Sequence, residues 1–438
     1  MEFMTSPKLP LDDLYTHTFY VKHEPIEKID PQIDRRYWTF EINNIDVGTY
    51  LRPNYTDIEL ILSAVDENGD DLETNIPGNP AADPPVPAIQ DSTASMINSS
   101  LYSYFSNIKC YINYELVSDS YQLYHIQSYF YNLFSVSAQA TDSVSKCWGF
   151  FNDGNHSGFG ASETVVNKGL KSRNKMLENG KKFCLRGPLL LNIFNQSTPI
   201  CKSHIRLELE RNNFEKMSFR KTGGMGFKVH DIAIHGCYSK MRESYTVKMA
   251  PNLLKTPQIY ACHDTEINYY KIDSGVSNFK HRLFLKAAPN LILVAFSPTT
   301  VFNGSFNTNL LSFKYPNLSQ IFIKNEAFNY PLGRPYRFSP NNPSFVEAYK
   351  SLHDNLKINS MLFSLDDYPK NYFILAFDMT PSFSYGDDVI RPVISYENIN
   401  IYLDFHTALP SDYNLIVAAY YNKNIKIDAL TNSCIVTY

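Results

Sequence analysis

A chain of 438 residues exceeds one ordinary domain and predicts two or three. It is 44% apolar, enough for a sizeable core. Its 40 basic and 44 acidic residues leave a net charge of −4, which argues against a chain built mainly to grip phosphates. Aromatic residues reach 14%, with 31 Tyr and 29 Phe, and such residues favour strands, so a β-rich fold is the first expectation. The longest nearly unbroken apolar stretch, Leu291 to Phe296, falls far short of the roughly 20 residues that span a bilayer, so no transmembrane segment is expected. The N-terminus carries Glu2, Lys8, Asp12 and Asp13 with no apolar block, and no secretory signal is read there. The cysteines (Cys110, Cys147, Cys184, Cys201, Cys237, Cys262, Cys434) are odd in number and form no CxxC motif. They read as buried, reduced thiols of an intracellular protein.

In chain order, residues 1–36 carry Pro7, Pro10, Pro25 and Pro31 with nearly balanced charge, and read as an extended N-terminal arm. Residues 66–97 hold Pro77, Pro80, Pro84, Pro85 and Pro87, which block regular ladders and predict a long surface loop. Asp66, Asn68 and Asp70 have the opening spacing of a calcium loop. The sixth-position Gly and closing Glu of an EF-hand are missing, so no metal is assigned there.

Period-2 alternation follows. Ile108, Cys110 and Ile112 alternate with polar or aromatic neighbours, as do Ile205, Leu207 and Leu209, and then Ile399, Ile401, Leu403 and Phe405. Each run predicts a strand with one buried face. Helical period appears in two places. In 119–134, Leu123, Ile126, Phe130 and Leu133 share a stripe, with Ser118 or Asp119 as the expected cap. In 344–356, Phe345, Tyr349, Leu352 and Leu356 do the same behind a Ser344-to-Glu347 capping box. The order of elements repeats. Strand 104–114, helix 119–134 and strands 183–194, 203–211 and 227–238 are matched by strand 318–326, helix 344–356 and strands 371–379, 397–406 and 413–428. This predicts a duplicated β-sandwich over 37–241 and 257–438, each half with one inserted helix, and a junction at 242–256.

A search for chemistry nominates no catalytic, cofactor-binding or metal-binding residue. Gly223, Gly224 and Gly226 lack the following GK[ST] of a phosphate loop and read as a turn. His230 and His235, five apart on one strand, are expected on opposite faces, a poor geometry for a shared metal. The acidic pairs Asp70-Asp71, Asp366-Asp367 and Asp387-Asp388 read as solvated loop acids rather than facing carboxylates. His125 reads as a packed or hydrogen-bonded histidine. The aromatics crowded between Tyr102 and Phe134 have only Lys109 among them, so core and subunit-interface packing is preferred to a nucleic-acid platform.

Several of these segments resemble the double jelly-roll major capsid proteins of Polinton/Maverick elements and adintovirus-like viruses. The resemblance begins at Asn98 to Asn113 and continues through the Tyr-rich helix with Tyr121, Tyr124 and Tyr129. It goes on through Gly187 to Leu191, His204 to Asn212 and Val229 to Gly236. In the second half it covers Asn371 to Thr380, Ile399 to Phe405 and Asn414 to Asp428. It spans most of 98–438 in the right order. Lys426 departs from it, standing where an acidic residue is usual, and the 138–182 loop has no matching pattern. The resemblance implies an all-β fold of two tandem eight-stranded jelly rolls and no enzymatic activity. It implies homotrimers that imitate a hexagon, neighbouring capsomers, and a single jelly-roll penton protein as partners. It implies a place in the virion capsid, assembled in the host cytoplasm or nucleus, with no cofactor and no sequence-specific nucleic-acid contact. A carbohydrate-binding or carbohydrate-active sandwich, or a minor vertex or spike protein, are the competing readings. The first should carry a secretion signal, and the second usually needs only one jelly roll.

Overall fold

The structure is a computed structural model. It describes residues 14–43, 48–76, 89–90, 93–153, 167–200, 203–221, 223–248, 256–283, 286–326, 328–341, 343–358, 360–380, 385, 398–429 and 431–437.

The first half supplies eight principal strands: β1 (Tyr15–His23), β2 (Tyr37–Asn43), β3 (Asp57–Asp66), β4 (Phe105–Ile112), β5 (Glu115–Asp119), β6 (Phe183–Pro188), β7 (His204–Arg211) and β8 (Met225–Met241). Two helices, α1 (Tyr124–Ser135) and α2 (Lys168–Met176), lie between β5 and β6. The second half supplies β9 (Gln258–Ile272), β10 (Asn278–Arg282), β11 (Leu291–Pro298), β12 (Leu318–Lys324), β13 (Asn329–Tyr330), β14 (Ile374–Asp378), β15 (Asn400–Phe405) and β16 (Tyr413–Asp428). Helix α3 (Val346–Leu356) lies between β13 and β14, and a last strand, β17 (Ser433–Thr437), pairs with β16. The sheets run β1-β8-β3-β6 and β2-β7-β4-β5 in the first half, then β9-β16-β11-β14 and β10-β15-β12-β13 in the second. Subtracting eight from each label of the second half reproduces the first. The chain is therefore a double jelly roll, with all of these pairings antiparallel.

The alternation read from the sequence sets the registers. Ile205, Leu207 and Leu209 of β7 pair with Ile42, Phe40 and Trp38 of β2 and with Ile112, Cys110 and Ile108 of β4. All nine are buried and form apolar rows on the inner side. A side chain of this kind stabilises the fold by about 1.5–3 kcal/mol when buried. A one-residue slip would turn the whole set outward, so the register is strongly specified. β11 departs from alternation. Leu291 through Phe296 are all fully buried, because both faces of that strand are covered.

The structure corrects several expectations. The stretch read as an arm contains β1, which pairs with β8 from Tyr15↔Met241 to His23↔Ile234. No proline lies between Pro10 and Pro25, so nine consecutive residues can join the ladder there, with Phe19 and Val21 packed on the core. The first amphipathic helix starts at Tyr124, not 119. β5 runs on to Asp119, Tyr121 and Gln122 have positive φ, and the Asp119 carboxylate accepts the Tyr121 N–H at 2.9 Å in a turn. The capping box does not form: α3 begins at Val346, and Glu347 pairs instead with Arg334 at 3.2 Å. The strand expected over 183–194 ends at Pro188 and is followed by a short helical turn, Asn192–Asn195. Helix α2 lies in what read as a loop. Its sequence, KGLKSRNKM, has no apolar stripe, and it is started by Asn167, whose side chain accepts the Leu170 N–H at 2.9 Å. Of the thiols, Cys110, Cys237 and Cys434 are buried as expected, but Cys147 and Cys184 are exposed.

Candidate assembly surfaces

The two rolls meet over an apolar seam built from both sides. Ile126, Tyr129, Phe130 and Leu133 of α1, with Leu123 just before it, belong to the same buried cluster as the core of the second roll. Phe130 meets Phe313 with ring centroids 5.4 Å apart, near edge-to-face, and Tyr129 lies 6.4 Å from the same ring. In return, Tyr260, Ile425, Ile427 and Cys434 of the second roll enter the core cluster of the first. The Tyr260 hydroxyl donates to the Pro199 carbonyl at 3.2 Å. This exchange explains why α1 is buried on more than one face.

Two buried ion pairs stiffen this region. The Lys423 ammonium, 3% exposed, lies 3.2 Å from Asp264 and also donates to the Val117 carbonyl of β5, bridging the rolls. Asp264 is shared with Lys286 at 3.7 Å, and the Lys286 ammonium sits 4.8 Å from the centre of the Tyr121 ring across the seam. Within the first roll, Arg173 of α2 grips Asp153 with two bonds of 2.7 and 3.1 Å and donates to the Met96 carbonyl at 2.9 Å. Both partners are almost wholly buried. Sequence reasoning did not single out these charges. A lysine at a buried position of a long strand, or an arginine in a polar helix, carries no local pattern that marks a distant partner.

The residues weighed for chemistry do not converge. Asp70 and Asp71 are exposed, and Asp66 accepts the backbone N–H groups of Asn68 and Asp70 within its own turn. Asp367 takes part in the local bonds of its own loop, to Ser364 and Lys370. Asp387 and Asp388 lie outside the described residues. Gly223 has a left-handed φ of 76° and belongs to a turn, closed by the Arg220 guanidinium donating to the Gly224 carbonyl at 2.7 Å. His125 is packed rather than hydrogen-bonded: both ring nitrogens are buried without a partner among the described residues. Burial holds its pKa down at about 3, so it is neutral near pH 7. His230 and His235 do not face opposite sides. The ladder is irregular between Val229 and Asp231, which flips the parity. His230 then bonds Ser63 at 2.9 Å while His235 reaches Glu59 at 3.4 Å, and Ser63 and Glu59 share one face of β3. Among the described residues, no group of three or more His, Cys, Asp or Glu could hold a metal ion. Tyr102, Tyr104, Phe105, Tyr124 and Phe130 of the crowded aromatics are fully buried, whereas Tyr114, Tyr121 and Tyr131 are exposed.

The outward faces of the two rolls differ. β3 turns Asp57, Glu59 and Ile61 outward, whereas the corresponding strand β11 is buried on both faces. Helix α3 buries Ala348 and Leu352 and leaves Val346, Glu347, Lys350 and Asp354 exposed.

No protein-family model matches the sequence, and no curated protein does. Solved structures do resemble it over nearly its whole length. A chain of the Sputnik virophage, solved by cryo-electron microscopy, superposes with a TM-score of 0.65 at 11% identity, covering 99% of this chain and 92% of that one. The Faustovirus major capsid protein gives 0.57 at 8%, covering 97% and 93%. The mavirus major capsid protein gives 0.52 at 10%, covering 99% and 92%. At such identities the likeness establishes the shared double jelly-roll fold.

Proposed function

We propose that this chain is a major capsid protein, a non-enzymatic shell subunit whose homotrimers imitate hexagons and tile an icosahedral virus capsid. The observation that carries this reading is the doubled strand order, β1-β8-β3-β6 repeated as β9-β16-β11-β14, joined by a seam that fuses the rolls. Two like rolls in fixed relation give one subunit two similar lateral units, and threefold closure then yields six. The coverage of the Faustovirus and mavirus major capsid proteins supports the same reading. We assign residues up to 241 from β1 onward to the first roll, 242–256 to the junction and 257–438 to the second roll. The Polinton/Maverick and adintovirus-like type is our preferred lineage, on the order of the motifs across 98–438. Neighbouring capsomers and a single jelly-roll penton protein are the partners this role requires, and the virion shell is its place.

Light scattering on the purified full chain tests the reading. It should give three times the 50.3 kDa subunit mass, and a single subunit mass at every salt and protein concentration contradicts it.

A further inference from the structure

The internal duplication supplies a template for contacts between copies. Inside one chain, helix α1 of the first roll and the outer face of β9 line the two sides of one groove. Ala261, His263 and Thr265 face Gln127, Tyr131 and Phe134 across a groove of 390 Å³. The registers identify the matching positions in the first roll. In the second roll the first residue of β11, Leu291, pairs with Tyr420, which pairs with Thr265. In the first roll the first residue of β3, Asp57, pairs with His235, which pairs with Lys22. Lys22 therefore occupies the place of Thr265, Tyr20 that of His263, and Thr18 that of Ala261. All three are exposed, Tyr20 to 58%. Helix α3 is in the complementary situation. It stands where α1 stands in the first roll, between the fifth and sixth strands, and its outward side is exposed, Val346 to 56%.

We infer that α3 of one copy docks over the Thr18–Tyr20–Lys22 stripe of a second copy, repeating between chains the placement of α1 beside β9 within one. The inference rests on the capsid reading above and names the surfaces that reading needs. Each roll then passes its helix to the next, a head-to-tail contact that the capsid reading closes at three chains. The chemistry differs from that of the seam. Around the stripe, Lys22 and Arg186 alternate with Asp57, Glu59 and Asp231. The helix side offers Glu347 and Asp354 beside Lys350 and Arg334. Each surface presents both signs in a small area, with Tyr20 and Val346 as apolar centres. The interchain contact is thus a charged counterpart of the aromatic seam, and it weakens as salt rises.

Cross-linking of the full chain with a lysine-reactive reagent tests this, using a mixture of isotope-labelled and unlabelled copies. Trimers should yield mixed-isotope links between Lys22 and Lys350. Tyr20→Glu and Lys350→Glu, both at exposed positions, should each raise the trimer dissociation constant about tenfold or more with circular dichroism unchanged. Trimers that lack those links and ignore both substitutions overturn the docking and leave the capsid reading standing. A chain that stays monomeric overturns both.

Discussion

Helices α1 and α3 hold the same place in their respective rolls and have opposite surroundings. α1 has its apolar residues pressed into the neighbouring roll, with Phe130 against Phe313. α3 buries one narrow stripe and turns Glu347, Lys350 and Asp354 to solvent. The same contrast separates β11, buried on both faces, from β3, which alternates. The lesson is that a roll's fold and a roll's surroundings leave separate marks on the sequence. The fold sets the period, and the neighbour sets how many faces are apolar.

Substitutions can break this contrast, starting with the largest effects. Arg173→Ala should destabilise the chain by about 3–5 kcal/mol in urea unfolding, because Asp153 is left as an uncompensated buried charge. Phe130→Ala should cost a similar 3–5 kcal/mol or so, since it opens a cavity between the rolls. Phe130→Ala should also loosen the coupling of the two rolls. A single unchanged cooperative transition would mean that Phe130 is not what couples them.

Acidification gives a middle effect. The folded pKa of His125 is held at about 3 by burial, below the roughly 6.5 of the unfolded chain. Only the unfolded state gains the proton as pH falls from 6.5 towards 3, so stability declines across that window. At pH 5 the loss from this residue is about 2 kcal/mol relative to pH 7. His125→Leu should remove that part of the acid sensitivity, as read by chemical denaturation at the two pH values. The smallest effect belongs to Lys350→Ala. Lys350 is exposed, and its pair with Asp354 lies on the helix surface, so subunit stability should change by less than about 0.5 kcal/mol. Equal costs at Phe130 and Lys350 would erase the distinction between the helices.

Much of the fold was legible because its signals are local. The alternation of Ile205, Leu207 and Leu209 marked β7, and the stripe through Phe130 marked α1. The repeated order of strand, helix and three strands marked the duplication. What escaped depended on partners distant in sequence or on irregular backbone. β1 was hidden because prolines flank it and its partner, β8, lies more than two hundred residues away. The irregular ladder at His230 reversed a facing that strict alternation predicts. α2 has no apolar period, since much of its anchorage is polar, with Arg173 on Asp153 and Asn174 on the Ala94 carbonyl. The surfaces argued for assembly were the least legible. Tyr20 and Val346 acquire meaning only once the registers of the two rolls are laid over each other.

Electron microscopy of the purified protein tests the central claim most directly. Class averages should show particles of hexagonal outline with true threefold symmetry, each chain filling two adjacent corners. Particles with a single double roll, or rings of any other order, would contradict it.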